Sequence, residues 1–482
     1  MTRIRSWLER EPWFALLLAA AVAARLYNFR HPPDDAHEWR QTQTLMYSAS
    51  YGHGAGWLTP FSNWNGAPPH PGVLELPLYS ILAYLTSAPF GLLASARTWS
   101  FASSVAAIYV FDRLCVRLEH PRRRTATLLF ALAPVAIFYG HAVQPESLLL
   151  LLVVAAAYGL VLGAGAGWRW TLLGGVALAA ATLIKPTALV MLAPPLALQA
   201  WRLSSLPARG EGREGSWLPA GLVLAGSAAV ALAWGLYVRG VLLAADPLWY
   251  SVSTAPGWVF GELQLRFHPF LYETLTQRLA MILLPPLAAG LILIAAFGRR
   301  GHAWWWAWAA GGLLSVLVFS RLNAVHFYYQ LPAVPALAAL AAYGFPAWPR
   351  SLRARGLAAA GLLTAAALGC RQLYAENPIY HDAGAALASV ASPGPVLALS
   401  SAGGAAWYPV VLFYSGHDGW NLPLDASAEQ VAAHPACDLV MVFDRPGPPP
   451  PVPPGWAETK RTSEYVLARS SLPACGEGRE GT

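Results

Sequence analysis

Apolar runs about as long as a bilayer is thick recur along the first roughly 375 residues of this chain, which removes most soluble architectures. They lie near 13–28, 73–90, 98–117, 125–140, 146–162, 170–184, 186–201, 218–243, 280–297, 303–320, 330–348 and 355–373. The runs are continuously apolar and do not alternate, so they predict helices, not a barrel. The expected class is an α-helical polytopic membrane protein with about 11–12 transmembrane helices. Composition agrees. Of 482 residues, 56% are hydrophobic and 12% charged, whereas soluble domains carry about twice that charged fraction. The net charge of +7 fits basic cytoplasmic loops better than nucleic-acid binding. Met1 to Arg10 is basic and no clear cleavage site follows, so the first run is expected to be a retained helix.

Basic clusters set the orientation. Arg3/Arg5/Arg10, Arg122-Arg123-Arg124, Arg202/Arg209/Arg213, Arg299-Arg300 and Arg350/Arg353/Arg355 are all expected on the cytoplasmic side. Segments 141–145, 244–279 and 321–329, with Lys185, then fall outside. The count closes if 73–90, which holds Glu75, Pro77 and Pro89, does not span, leaving about eleven spans. The rival topology lets 73–90 span and makes 170–201 one long helix. Residues 1–374 thus read as the transmembrane domain, with a first external loop of about 29–97. Beyond 375 the composition changes. Segments 394–399, 438–443 and 464–468 read as short buried strands, so 375–482 is expected to hold a small external α/β domain with a disordered tail. Pro446 to Pro454 reads as a turn or spacer. The four cysteines show no metal-type spacing. Ser205 to Gly215 recurs as Ser471 to Gly481, which suits no solenoid and reads as a translated repetitive element. Because Cys475 belongs to that element, it is only weak support for a disulfide with Cys437.

Polar chemistry gathers outside the apolar runs. Asp34 and Asp35 open the first loop, and His37-Glu38-Trp39-Arg40-Gln41-Thr42 follows as a helix start, with the acids near its positive end. Trp57, Trp64 and His70 come next, then Glu75-Leu76-Pro77-Leu78-Tyr79. Two carboxylate sites with aromatics between them suit glycosyl transfer: one acid deprotonates a hydroxyl while aromatic faces and amides hold a sugar. The structural alternative is that the two Asp side chains only cap a surface helix. His141 and Glu146 lie at outer helix ends, where a His is commonly structural. Lys185-Pro186-Thr187 places a cation at an outer helix end, either to snorkel or to hold a lipid phosphate. Arg321 to Gln330 combines Arg321, His326, Tyr328 and Tyr329, which suits an aromatic belt or a phosphate site. Arg266, His268 and Arg278 are weaker phosphate candidates.

These segments together resemble the bacterial membrane glycosyltransferases of family 39 type. That family is part of the GT-C fold group, with the protein O-mannosyltransferases and the lipid A aminoarabinose transferases. His37-Glu38-Trp39-Arg40-Gln41 resembles a first-loop His-x-Trp-Arg-Gln motif of one subfamily, and Glu75-Leu76-Pro77-Leu78-Tyr79 its acid-x-Pro-Leu-Tyr. Gln144-Pro145-Glu146, Leu183-Ile184-Lys185-Pro186 and His326-Phe327-Tyr328-Tyr329-Gln330-Leu331-Pro332 resemble three later motifs, in order, across about 13–345. The resemblance implies inverting transfer of a sugar from a polyprenyl-phosphate donor to an acceptor hydroxyl, on the periplasmic face of the bacterial inner membrane. It implies Asp35 as catalytic acid-base group, with Asp34 as fallback and Glu75 as the second acidic position. Lys185, Arg321, His326 and Tyr329 would bind the donor phosphate. His37, Trp39, Arg40, Gln41, His141 and Glu146 would line the substrate. The acceptor stays open between glycan, lipid and protein. A divalent cation (Mg or Mn) also stays open, because some GT-C enzymes use one and no motif here demands it. Membrane lipids are expected partners; nucleic acid is not.

Two rival classes share the helix count. A transporter or flippase of a lipid-linked glycan would place its charged and helix-breaking residues at the midplane. A polysaccharide polymerase or ligase would concentrate its key residues in late external loops. The chemistry directly after the first apolar run argues against both.

Overall fold

A computed structural model describes residues 12–62, 65–66, 69–72, 74–204, 218–298, 301–349, 351–402, 408–443 and 450–471. Residues 205–215 and 472–481 of the near-repeat, which include Cys475, lie outside the described residues, as do Trp64 and Arg299-Arg300. The chain divides into two compact units. One comprises Met1–His31, Leu74–Gly240 and Pro247–Tyr374; the other comprises Pro32–Val73, Val241–Asp246 and Ala375–Thr482. The front of the 29–97 loop therefore groups with the carboxy-terminal region.

The first unit is helical. Among the described residues, Leu92–Arg117, Glu146–Gly163 and Ala220–Ala245 are each long and apolar enough to cross a membrane. Phe14–Ala24, Trp168–Ile184, Thr187–Trp201 and Ala303–Val318 are shorter apolar helices. Two of the breaks fall at prolines, although Pro194 and Pro195 lie inside an unbroken helix. Pro186 disfavours helical backbone in the residue before it, and Lys185 is extended, with φ −148° and ψ 118°. The stretch 170–201 is accordingly two helices, Trp168–Ile184 and Thr187–Ser204, and not the single helix of the rival topology. Pro285 and Pro286 remove two amide donors in succession, and Pro269–Leu283 meets Ala288–Phe297 at 110°. Segment 73–90 contributes only the eight-residue helix Leu78–Leu85, far short of the ~20 residues a span requires.

Helices Glu146–Ala166 and Trp168–Ile184 approach closely because glycines line their contact. A Cβ on Gly159 would lie 2.8 Å from the Gly174 Cα, and one on Gly163 would meet Thr171. Small residues of this kind let helix backbones touch where lipid gives no hydrophobic drive. Gly159→Val should therefore lower stability by about 1–3 kcal/mol through overpacking, read as a drop in the unfolding temperature in detergent.

The second unit is built on a six-stranded sheet ordered β2-β5-β4-β6-β8-β7. Its strands are β2 (Asn65–Gly66), β4 (Val396–Ser400), β5 (Gly419–Pro423), β6 (Asp438–Val442), β7 (Trp456–Arg461) and β8 (Tyr465–Ser470). β1 (Phe61–Ser62) and β3 (His70–Pro71) form a separate antiparallel pair. β4 lies parallel to β5 and β6, while β8 runs antiparallel to β6. β4 and β6 are buried at all five positions, as a parallel strand covered on both faces should be. These two strands and β8 fall where the sequence predicts strands. β7 was not predicted: Glu458, Thr459, Lys460 and Arg461 are exposed along it, the charged edge that blunts sheet-to-sheet association.

Candidate active site

In the second unit the chemistry sits at the start of helix Glu38–Ser50. The chain enters through His37, whose backbone is left-handed at φ 57°. For a residue with a Cβ this costs about 1–2 kcal/mol, and such strain marks segments held by their surroundings. Asp34, Asp35, Glu38 and Gln41 are all buried. Gln41 donates from Nε2 to Asp35 Oδ1 at 2.6 Å and to the Ala36 carbonyl at 3.2 Å. The Glu38 amide donates to the Asp35 carbonyl at 3.0 Å. Arg40 donates to Gln43, Gln43 to Tyr47 at 3.0 Å, and Tyr47 to the Gly72 carbonyl at 2.8 Å. Trp57 is half exposed and stacks on Tyr51 at 5.3 Å. His70 meets Asp246 at 3.1 Å.

Glu38, inside the same motif, is given no role of its own by the sequence. It is 6% exposed and accepts from the Tyr408 hydroxyl and from Asn377 Nδ2. Burial pushes its carboxyl up to about 8; the Tyr408 hydrogen bond opposes that, while the charges of Asp34 and Asp35 add to it. At neutral pH the side chain is therefore protonated. The folded protein keeps this proton up to about pH 8, whereas an unfolded Glu releases it near 4.5. Between those values the native state binds more protons, so stability falls as pH rises, by at most ~1.4 kcal/mol per pH unit. Glu38→Gln should flatten that slope in unfolding curves collected from pH 5 to 8.

In the first unit the chemistry gathers at the break between helices Trp168–Ile184 and Thr187–Ser204. Lys185 and Glu146 form an ion pair with both side chains almost fully buried. The Lys185 ammonium also lies 3.9 Å from the Tyr328 ring centroid and 4.6 Å from that of Tyr329, a favourable cation–π placement. Glu146 Oε2 is buried with no hydrogen-bond partner among the described residues. His326 stacks on Tyr328 at 5.0 Å. Three of the later motifs thus converge on one buried charge. The Glu75 segment reaches the same break, since the Leu76 amide donates to the Leu183 carbonyl at 3.0 Å; Glu75 itself is half-buried. His141 stacks on Tyr374, with rings 5.1 Å apart and nearly parallel.

Arg266, Arg278 and His268 are engaged structurally. The Arg266 guanidinium donates to the carbonyls of Phe260, Gly261, Glu262, Leu317 and Val318. Arg278 donates to those of Asn323, Ala324 and Val325. His268 caps a helix by accepting from the Phe270 amide. Arg321 is exposed. Among the described residues, no three His, Cys, Asp or Glu side chains group to hold a metal.

No family model and no curated protein matches the chain. Solved structures do. Crystal structures of ArnT from Cupriavidus metallidurans align at 14% identity. The form bound to undecaprenyl phosphate has a TM-score of 0.65 and covers 96% of this chain and 99% of that one. The apo form has 0.64 and covers 97% and 99%. The archaeal oligosaccharyltransferase AglB from Archaeoglobus fulgidus, in complex with an inhibitory peptide and a dolichol-phosphate, has a TM-score of 0.52 at 12% identity, over 90% of this chain and 70% of that one. The chain has the GT-C fold. In that fold a whole-length likeness at so low an identity reflects architecture, so the roles of the residues above rest on their own geometry.

Proposed function

We propose that the chain is an inverting glycosyltransferase that moves a sugar from a polyprenyl-phosphate donor to an acceptor hydroxyl, on the periplasmic face of the bacterial inner membrane. The observation that carries this is the buried Lys185 at a proline-made helix break, ringed by Tyr328, Tyr329 and Glu146, in a chain with the fold of an undecaprenyl-phosphate-bound transferase. A buried cation is costly unless it has work or a partner. Here it has a carboxylate partner that an incoming phosphate can replace. His326 and Tyr329 join Lys185 in stabilising the phosphate as it leaves. The polyprenyl tail binds by apolar burial among the helices.

Asp35 acts as general base on the acceptor hydroxyl. Gln41 holds its Oδ1, which orients the carboxylate before substrate arrives. Trp39 and Arg40, both half-buried at the head of the same helix, line the sugar and acceptor side with His37. Glu38, kept neutral, avoids a third negative charge beside Asp34 and Asp35.

The test is native mass spectrometry of the protein in nanodiscs with added undecaprenyl phosphate. Wild type should retain the lipid. Lys185→Met, or Tyr328→Ala with Tyr329→Ala, should lose it by at least about tenfold, the scale of a charge-assisted contact to phosphate. Equal retention in all three would overturn the phosphate assignment.

A further inference from the structure

Helix Glu38–Ser50 is polar yet buried along ten of its thirteen positions, among them Glu38, Gln41, Thr42, Gln43 and Thr44. Buried polar side chains must find polar partners, and the helix draws part of its set from more than three hundred residues away. Three ties meet at its first turn. The Asn377 amide donates to the Asp34 carbonyl at 2.6 Å. Asn377 Nδ2 donates to Glu38 Oε1 at 3.4 Å, and the Tyr408 hydroxyl donates to the same oxygen. Tyr408 is held in turn by the buried Tyr380, with ring centroids 4.7 Å apart. Helix Val410–Ser415 packs against helix Glu38–Ser50. A backbone ladder seals the arrangement: β2 of the first loop pairs antiparallel with β5, Asn65 opposite Trp420 and Gly66 opposite Gly419.

We propose that Glu38 is a positioning residue: through Tyr408 and Asn377 it makes the carboxy-terminal domain part of the machinery that orients Asp35. This rests on the transferase reading for its consequence, but not for its geometry. Asp35 lies three residues before Glu38, and the Glu38 amide bonds its carbonyl. A shift of the first helical turn therefore shifts Asp35 and its partner Gln41 together. The carboxy-terminal domain is then no appendage. It is the wall against which the catalytic loop is built.

The discriminating variants are Tyr408→Phe, which removes one hydroxyl, Glu38→Ala, and Glu38→Gln, whose amide oxygen still accepts from both partners. Full-length protein in nanodiscs is examined by hydrogen exchange and by consumption of undecaprenyl-phosphate-linked hexoses and pentoses. Tyr408→Phe and Glu38→Ala should speed amide exchange across 35–44 roughly fivefold, the loss of one buried hydrogen bond. They should lower kcat by about 10- to 100-fold with the donor KM little changed, as a misplaced general base does. Glu38→Gln should match wild type in both. Unchanged exchange and kcat in Tyr408→Phe would overturn the proposal, as would Glu38→Gln behaving like Glu38→Ala. If Glu38→Ala does not fold, Tyr408→Phe carries the decision alone. Wild type that consumes no polyprenyl-phosphate sugar would sink the transferase reading, and the exchange data would still decide the clamp.

Discussion

Asp35→Asn is expected to lower sugar transfer by about 10²- to 10⁴-fold, the usual contribution of a general base, while undecaprenyl phosphate stays bound. The substitution is nearly isosteric. Its carbonyl oxygen can still accept from Gln41 Nε2, which now bonds Asp35 Oδ1 at 2.6 Å, so the helix start should not rearrange. What disappears is the negative charge and the basicity that comes with it. The rate should fall without a matching rise in donor KM, the signature of an interaction used only in the transition state. Asp34→Asn is the control. The Asp34 carbonyl anchors the loop by accepting from the Asn377 amide, a contact a side-chain substitution leaves in place, so that variant should keep most of its activity. A large loss at Asp34 with little at Asp35 would move the base by one residue. Steady-state transfer rates with mass-spectrometric detection decide between them.

Lys185→Met should cost about 3–5 kcal/mol of stability, because it strands a carboxylate that was paired in a dry environment. Glu146 is fully buried and Lys185 nearly so, and Oε2 of Glu146 already lacks a partner among the described residues. Without the ammonium, that carboxyl is left buried with no partner for its charge. The double change Lys185→Met with Glu146→Leu should recover much of the loss, since apolar replacement of a buried ion pair is often neutral or better. Yet it should not restore lipid-phosphate binding. Thermal unfolding in detergent, set beside retention of undecaprenyl phosphate, separates the two effects. Equal stability in the single and double variants would mean that water reaches the pair.

Much of the transmembrane unit is legible because its signals are local. Pro186 dictates an extended Lys185, and the extended Lys185 ends one helix and begins another. Pro285-Pro286 acts in the same way and splits the expected 280–297 span. The fully buried strands β4 and β6 announce themselves as continuous apolar runs. β5 does not: Gly419, Asn421 and Pro423 interrupt it, and its strand character comes from the neighbours it pairs with. β2, two residues long, carries no pattern at all.

By its residues alone, this protein was committed to apolar helices, to a break at Lys185-Pro186, to short buried strands beyond residue 375, and to acids clustered just after the first helix. Only the tertiary structure decided which charges meet. Lys185 finds Glu146 across 39 residues, and Glu38 finds Tyr408 across 370. Periodicity and proline act over a few residues of backbone. A buried charge takes its partner from whatever the fold brings alongside, and no local pattern records which residue that will be.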